Sequence, residues 1–394
     1  MLHEDTHAPR RGRRATVAAV IMLCVPALAG GRIAVGQPPP APTQEAVARL
    51  AELGVRVGSE ALTVQNAQNL TNVSFASGSL QQVTDADLAH LPLFPRITNV
   101  TLATARGIGP AGMEHLAKLP NLIGLQMQMT PIGDAGVTAL AAAPRLQTLN
   151  LDGVRNLTDA VLPHLARMPQ LRTLNLNSTG ISDGGLQALR ESRSLQTLSL
   201  AAVAGLTDAG LEQVAAIENL TELNLDQTRI DGSGLRFLAR ATKLRSLSLM
   251  STRLSDANAM HLGALAGLQR LFVWRTPIGD AAMPAIGRLA SLETLYLDGT
   301  RVTDAGLRDL AGLSNLRTLW LSETAVTDAG METLARLQLT QIQINQTQVG
   351  DAGIAALARS ASLRSISARQ TAVTAAGAAA AAQGRPAQQF RITR

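Results

Sequence analysis

Apolar residues recur along the chain as Leu-x-x-Leu-x-Leu, starting at Leu70, Ile97, Leu122, Leu146, Leu171, Leu195, Leu220, Leu244, Leu268, Leu292, Leu316, Leu339 and Leu363. The intervals between successive starts run 27, 25, 24, 25, 24, 25, 24, 24, 24, 24, 23 and 24. Within each motif apolar and polar positions alternate, as in Leu295-Tyr296-Leu297. That period of two predicts a short strand burying its leucines and exposing the residue between them. Each strand is followed by a Leu-x-x-Leu-Ala period, predicting a helix of about two turns, as over Gly306 to Leu313. Clusters such as Leu119-Pro120-Asn121 return the chain to the next strand. A unit repeating at this period cannot bury its apolar face alone, so the units stack and their strands join one long parallel sheet.

Two polar columns accompany the leucines. Three residues after the last strand Leu stands a Thr: Thr130, Thr179, Thr228, Thr252, Thr276, Thr300, Thr324, Thr347 and Thr371. In the repeats that are one residue longer, after Leu102, Leu151 and Leu200, an inserted residue displaces it. A hydroxyl at a recurring bend is expected to satisfy backbone groups of adjacent coils. The second column is acidic, as in Thr207-Asp208-Ala209-Gly210, Thr303-Asp304-Ala305-Gly306 and Thr327-Asp328-Ala329-Gly330. Thr then Asp ahead of a helical period is an N-cap signature, so these carboxylates are expected to cap helices and not to catalyse.

These repeats resemble leucine-rich repeats. The form Leu-x-x-Leu-x-Leu-x-x-Thr-x-Ile/Val-Thr-Asp-Ala-Gly-Leu is similar to the cysteine-containing subtype, familiar from F-box substrate receptors and from exported proteins of planctomycete-type bacteria. Thr stands here where other leucine-rich repeats place Asn or Cys. The likeness spans Leu70 to Gly384. It implies an α/β leucine-rich-repeat solenoid, a horseshoe with a long parallel sheet on its concave face and short helices on its convex face. Such a scaffold is specific for fold and not for function.

Arg10-Arg11-Gly12-Arg13-Arg14 precedes a weakly apolar run, Ala15 to Ala29, that ends in Ala27-Leu28-Ala29. This is the layout of a signal peptide over 1–29, and it places the protein outside the cytoplasm, periplasmic, cell-surface or secreted. Left uncleaved, the same segment would be a membrane anchor. A Pro-rich linker follows over 30–43, then an N-terminal cap over 44–69. The cap begins with an amphipathic helix, Gln44 to Leu53, and continues with strand-like Val55-Arg56-Val57 and Leu62-Thr63-Val64. The solenoid of about 13 repeats occupies 70–384 and a C-terminal tail or cap occupies 385–394. Near that end, Ala375 to Gln383 reads as a helix and Phe390-Arg391-Ile392 as a last edge strand.

Composition narrows the chemistry. Of 394 residues 46% are hydrophobic and 16% charged, which excludes a mostly disordered chain. The single Cys, Cys24, excludes a disulfide scaffold and lies within the expected signal peptide. Removing that segment takes away four arginines and two acids, lowering the net charge from +6 to +4. His90, His115, His164 and His261 all precede the same helix leucine, and successive coils hold them too far apart for one metal. The chain has no Gly-x-Ser-x-Gly and no phosphate loop. No enzymatic activity, cofactor or metal is expected.

Only 2% of residues are aromatic, so their placement carries weight. By the resemblance, the residue between the strand leucines and the residue after the second face the open side. Most of these positions hold Asn, Ser, Gln or Thr. In three consecutive strands they hold Phe272, Trp274, Tyr296 and Trp320, with Met250, Arg270, Arg275, Asp298 and Glu323 around them. One reading is a cross-strand ladder that stabilises the sheet. The other is a binding hot spot, since interfaces are dominated by Trp, Tyr and Arg anchors. The expected ligand is a protein or peptide bound by a monomer, with a glycan as the alternative and a structural or adhesive role as a third. Nucleic acid is not expected, because Asp152, Glu222, Asp226, Asp298 and Glu323 interrupt any basic track.

Overall fold

A computed structural model describes residues 41–383 and 390–394. The signal peptide expected over 1–29, linker positions 30–40 and residues 384–389 lie outside the described residues. The repeats wind into a solenoid whose short strands form one 14-stranded parallel sheet, ordered as in the sequence from Asn72–Ser74 to Arg391–Thr393. Register holds leucine beside leucine: Leu247 pairs with Leu271, Leu271 with Leu295 and Leu295 with Leu319. The central residue of each strand but the last is buried, and so is the apolar residue two positions on, from Val73 and Phe75 to Ile366 and Ala368; the last strand's Ile392 is half-buried. Each fully buried Leu contributes about 1.5–3 kcal/mol. An α/β leucine-rich-repeat solenoid is the fold.

The helical side departs from the expectation of uniform two-turn helices. The stretch after Thr303 is one α-helical turn, Asp304–Leu307, followed by a 3-10 segment, Arg308–Gly312. A 3-10 segment rises about 2.0 Å per residue where an α-helix rises about 1.5 Å, so it is the more extended of the two for the same number of residues. Full eight-residue helices form in some coils, at Pro110–Ala117, Gly133–Leu140 and Asp351–Ala358.

At the N-terminal end the helix Gln44–Glu52 turns Ala46, Val47 and Leu50 inward, and the Thr43 hydroxyl accepts from the Ala46 N–H at 3.2 Å. Arg49 Nε donates to Asp87 Oδ1 at 2.7 Å, tying this helix to the first repeat. The following strands form an antiparallel hairpin, Arg56–Val57 with Glu60–Ala61. Leu62-Thr63-Val64 is not a strand: Leu62 is buried, Val64 is exposed, and the Thr63 N–H is held by the Asn66 side chain. At the far end Ala375–Ala382 is helical, and Arg391–Thr393 pairs in parallel with Ser365–Ser367.

Both polar columns act differently from the expectation. Each Thr of the first column donates to the carbonyl three residues back in its own coil, from Thr130 on Met127 and Thr276 on Val273 to Thr371 on Ala368. The carbonyl after the strand points back over the turn, so the hydroxyl meets it before any group of a neighbouring coil. The acidic column, conversely, reaches across coils. Asp280 accepts from the Thr303 N–H and hydroxyl at 2.8 and 2.6 Å, and Asp304 accepts from the same groups of Thr327 at 2.9 and 2.6 Å. Helix capping falls to the Thr itself, whose hydroxyl accepts from the N–H two residues on, as Thr303 from Ala305. The paired glycine has a steric reason. A Cβ on Gly330 would lie 2.3 Å from Asp304 Oδ1, and one on Gly306 2.5 Å from Asp280 Oδ1.

Two residues beyond the second strand leucine the chain bends through a left-handed conformation. It does so mostly without glycine, as at Ser251 (φ 55°), Arg275 (φ 53°) and Glu323 (φ 58°). The bend keeps that residue's N–H in the ladder, Arg275 donating to the Asp298 carbonyl at 2.8 Å and Glu323 to the Asn345 carbonyl at 2.9 Å. A non-glycine residue in this conformation costs about 1–2 kcal/mol, which the continued hydrogen bonding offsets.

Candidate functional site

The parallel register places Phe272, Tyr296 and Trp320 side by side on the sheet face turned away from the leucine core. All three are half-buried. The Phe272 and Tyr296 rings meet edge to face, with centroids 4.8 Å apart and planes at 71°. Tyr296 and Trp320 stack at 3.7 Å and 3°. Strands lie about 4.8 Å apart, so Tyr296 and Trp320 lean together by more than their backbones do. The three rings therefore form a continuous cross-strand ladder. Trp274 stands in the neighbouring column, outside the ladder, with the Arg275 guanidinium 5.4 Å from its ring centroid.

Two hollows flank the ladder. One, of about 470 Å³, is walled by Met250, Phe272, Trp274 and Tyr296, with Asp226 and Ser248 among its polar lining. The other, of about 210 Å³, is lined by Trp274, Trp320, Asp298, Glu323 and amides including Gln343 and Asn345. Trp274 borders both.

One of the expected site residues stands differently from the sequence reading. Asp298 is not an exposed rim charge: it is 7% exposed, and so is its equivalent Asp226, at 6%. A short polar residue after the second strand leucine turns toward the next coil, where its side chain accepts from backbone. Asp226 Oδ1 takes the Met250 N–H at 2.8 Å and the Ser248 hydroxyl at 2.5 Å. Asn177 does the same with the Ser199 hydroxyl and the Ala201 N–H, and Asn345 with the Ser367 hydroxyl and the Arg369 N–H. Arg270 is exposed but paired, its guanidinium spanning two coils to Glu222 Oε1 at 2.5 Å. Arg275 lies over Trp274. Met250 is half-buried and Glu323 exposed.

Asp298 breaks the coil-bridging rule in one respect. Its Oδ1 accepts the Ser322 N–H at 2.9 Å, the counterpart of the Met250 bond. The place taken by Ser199, Ser248 and Ser367 in the other coils is held here by Trp320, which offers no hydroxyl. The Asp298 Oδ2 is buried without a hydrogen-bond partner. Burial pushes the Asp298 carboxyl above the ordinary carboxylate range, opposed but not overcome by the Ser322 donors and the nearby Gln343 amide. The Tyr296 hydroxyl is also raised, first by burial and then by the Asp298 charge. Burial likewise raises Asp226 against its donors from Ser248 and Met250.

Among the described residues, no three His, Cys, Asp or Glu side chains come together as a metal site. No helix among them is long and apolar enough to cross a membrane. The histidine column lies exposed or half-buried on the helical side.

Two stretches, residues 168–189 and 217–239, match the family model described as Leucine Rich repeat. No curated protein matches the chain. Among solved structures, an internalin (inlF) of Listeria monocytogenes is 22% identical, with a TM-score of 0.56, over 90% of this chain and 97% of that one. The mouse RP105/MD-1 complex is similar at 18% identity and a TM-score of 0.56, over 78% of this chain and 56% of that one. A leucine-rich-repeat protein of Leptospira interrogans is 15% identical, with a TM-score of 0.47, over 84% of this chain and 97% of that one.

Proposed function

We propose that this solenoid is an exported, non-enzymatic scaffold that recognises a protein or peptide partner through the open face of its sheet. Its centre is the patch of Met250, Phe272, Trp274, Tyr296 and Trp320. The observation that carries the reading is the break in an otherwise polar face: rungs of Asn, Ser and Gln give way over consecutive strands to aromatic rings beside two hollows. Aromatic anchors set beside recesses and surrounded by polar groups are the arrangement that dominates protein interfaces. Arg275 and Glu323, held exposed on the left-handed turns, supply mixed charge at one edge. The structural likeness to a chain crystallised in a complex, mouse RP105/MD-1, supports a partner-binding scaffold. Export is supported by the basic, apolar and small-residue layout of 1–29.

A glycan would need free ring faces for stacking, and Tyr296 gives a face to Trp320 and an edge contact to Phe272. A protein partner, which uses ring edges and recesses as well, suits this geometry better. The test is a pull-down from an extracytoplasmic extract with the wild type and with the double variant Trp274→Ala, Trp320→Ala. A protein retained by the wild type and lost by a double variant of unchanged circular dichroism is the expected result. Identical captured sets would leave the patch a sheet-stabilising ladder.

A further inference from the structure

We propose that the 210 Å³ hollow between Trp274 and Trp320 is a subsite for a guanidinium group, filled by an arginine side chain of the protein partner. The inference rests on the partner-binding reading above and names the chemistry of its anchor.

The argument starts from what the hollow lacks. Its lining includes two carboxylates, Asp298 and Glu323, several neutral amides and hydroxyls, and no cationic side chain. Asp298 enters none of the ion pairs among the described residues. A buried carboxylate is ordinarily paired or fully hydrogen-bonded, because desolvating its charge without a partner is costly. Elsewhere on this face the cost is reduced by the serine donor, as Ser248 does for Asp226. Here Trp320 has replaced the donor, and one oxygen of Asp298 is left without a hydrogen bond. The same replacement that leaves Asp298 Oδ2 without a partner puts an indole beside it.

The walls fit a planar cation. Trp274, from the coil before Asp298, and Trp320, from the coil after, both line the hollow, Trp320 giving one of its ring faces to Tyr296. Indoles are the best aromatic acceptors for a cation. Arg275 over Trp274 shows the contact already made by the chain's own guanidinium. A guanidinium is flat, stacks on indole and presents five donors. Those donors meet the charge of Asp298 and Glu323 and the side-chain oxygen of Gln343. The volume admits one side chain and not a folded segment.

The test is a fluorescence titration of the full chain, whose only tryptophans are Trp274 and Trp320. The probe is acetyl-Ala-Arg-Ala-amide, compared with the same tripeptide carrying citrulline, the neutral isostere, and with one carrying lysine. The arginine peptide is expected to quench or shift the emission saturably, with citrulline weaker by roughly tenfold or more and lysine intermediate. Asp298→Asn is expected to remove most of the preference for arginine over citrulline. Asp152→Asn, several coils away on the same face, is expected to keep it. Equal binding of the arginine and citrulline peptides, or a preference that survives in Asp298→Asn, overturns the subsite. The pull-down on the tryptophan variants still decides the wider reading in that case, because it does not depend on which group enters the hollow.

Discussion

Tyr296 and Trp320, one coil apart, stack face to face with ring centroids 3.7 Å apart and planes 3° from parallel. An aromatic pair of this kind is worth about 0.5–1.5 kcal/mol beyond its buried area. A double-mutant cycle on Tyr296→Ala and Trp320→Ala, read by urea unfolding, is expected to give a coupling in that range. A coupling near zero would mean that the sheet, and not the ring contact, sets the geometry. The ladder and hot-spot readings of the patch are thus not exclusive. Phe272, Tyr296 and Trp320 brace one another, while Trp274, outside the ladder, borders both hollows.

The pairing of Asp304 with Gly330 makes a steric prediction. Gly330→Ala places a methyl 2.3 Å from Asp304 Oδ1, and overpacking of this kind costs about 1–3 kcal/mol. Asp304→Ala costs about 1–3 kcal/mol by orphaning the Thr327 donors. Combined, the two are expected to cost less than their sum, because removing the carboxylate removes the nearest contact and leaves only that with Leu307 Cδ1 at 2.7 Å. Additive losses in thermal or urea unfolding would refute the contact.

Asp298 gives a dependence on pH with a definite sign. Its folded-state carboxyl is raised above the unfolded value. The native state therefore holds its proton longer, and this group's contribution to stability declines as pH rises from the ordinary carboxylate range through the raised folded value. Asp298→Asn is expected to raise the unfolding midpoint at neutral pH, with the gain shrinking toward pH values below the ordinary range. A gain that persisted undiminished in acid would show that ionisation is not its source.

The N-terminal cap has the opposite sign. Burial pulls the Asp87 carboxyl upward, but the Arg49 guanidinium and the Thr84 N–H and hydroxyl outweigh it, and the group is lowered overall. The stability it brings is present above the ordinary carboxylate range and is lost as pH falls through the lowered folded value. Arg49→Met is expected to destabilise this end of the solenoid at neutral pH and to have less effect once Asp87 is protonated. The loss should appear first as faster amide exchange in Gln44–Glu52. Uniform exchange across the whole solenoid would contradict a local role.

The leucine spacing made the fold legible because a fixed period leaves stacked parallel strands as the one way to bury every leucine. Which column faced outward was legible for Phe272, Tyr296 and Trp320, since they lie between two buried leucines. It misled for Asp298, because the residue after the second leucine sits where the strand begins to turn, and a short polar side chain there folds onto the next coil. The signal existed in the sequence. Asn177, Asp226 and Asn345 are answered one coil on by Ser199, Ser248 and Ser367, whereas Asp298 is answered by Trp320. The inter-coil reach of the acidic column was hidden because a helix N-cap and a bond to the following coil ask for the same residues, Thr and Asp.

The carboxylate links between coils have a further consequence. Asp280 holds Thr303 in the way that Asp304 holds Thr327, so these coils offer their successors the surface they received from their predecessors. Inserting or excising one whole unit away from the aromatic strands would rejoin matching surfaces. The molecule can therefore lengthen or shorten like a course of bricks while leaving its ring-bearing segment intact.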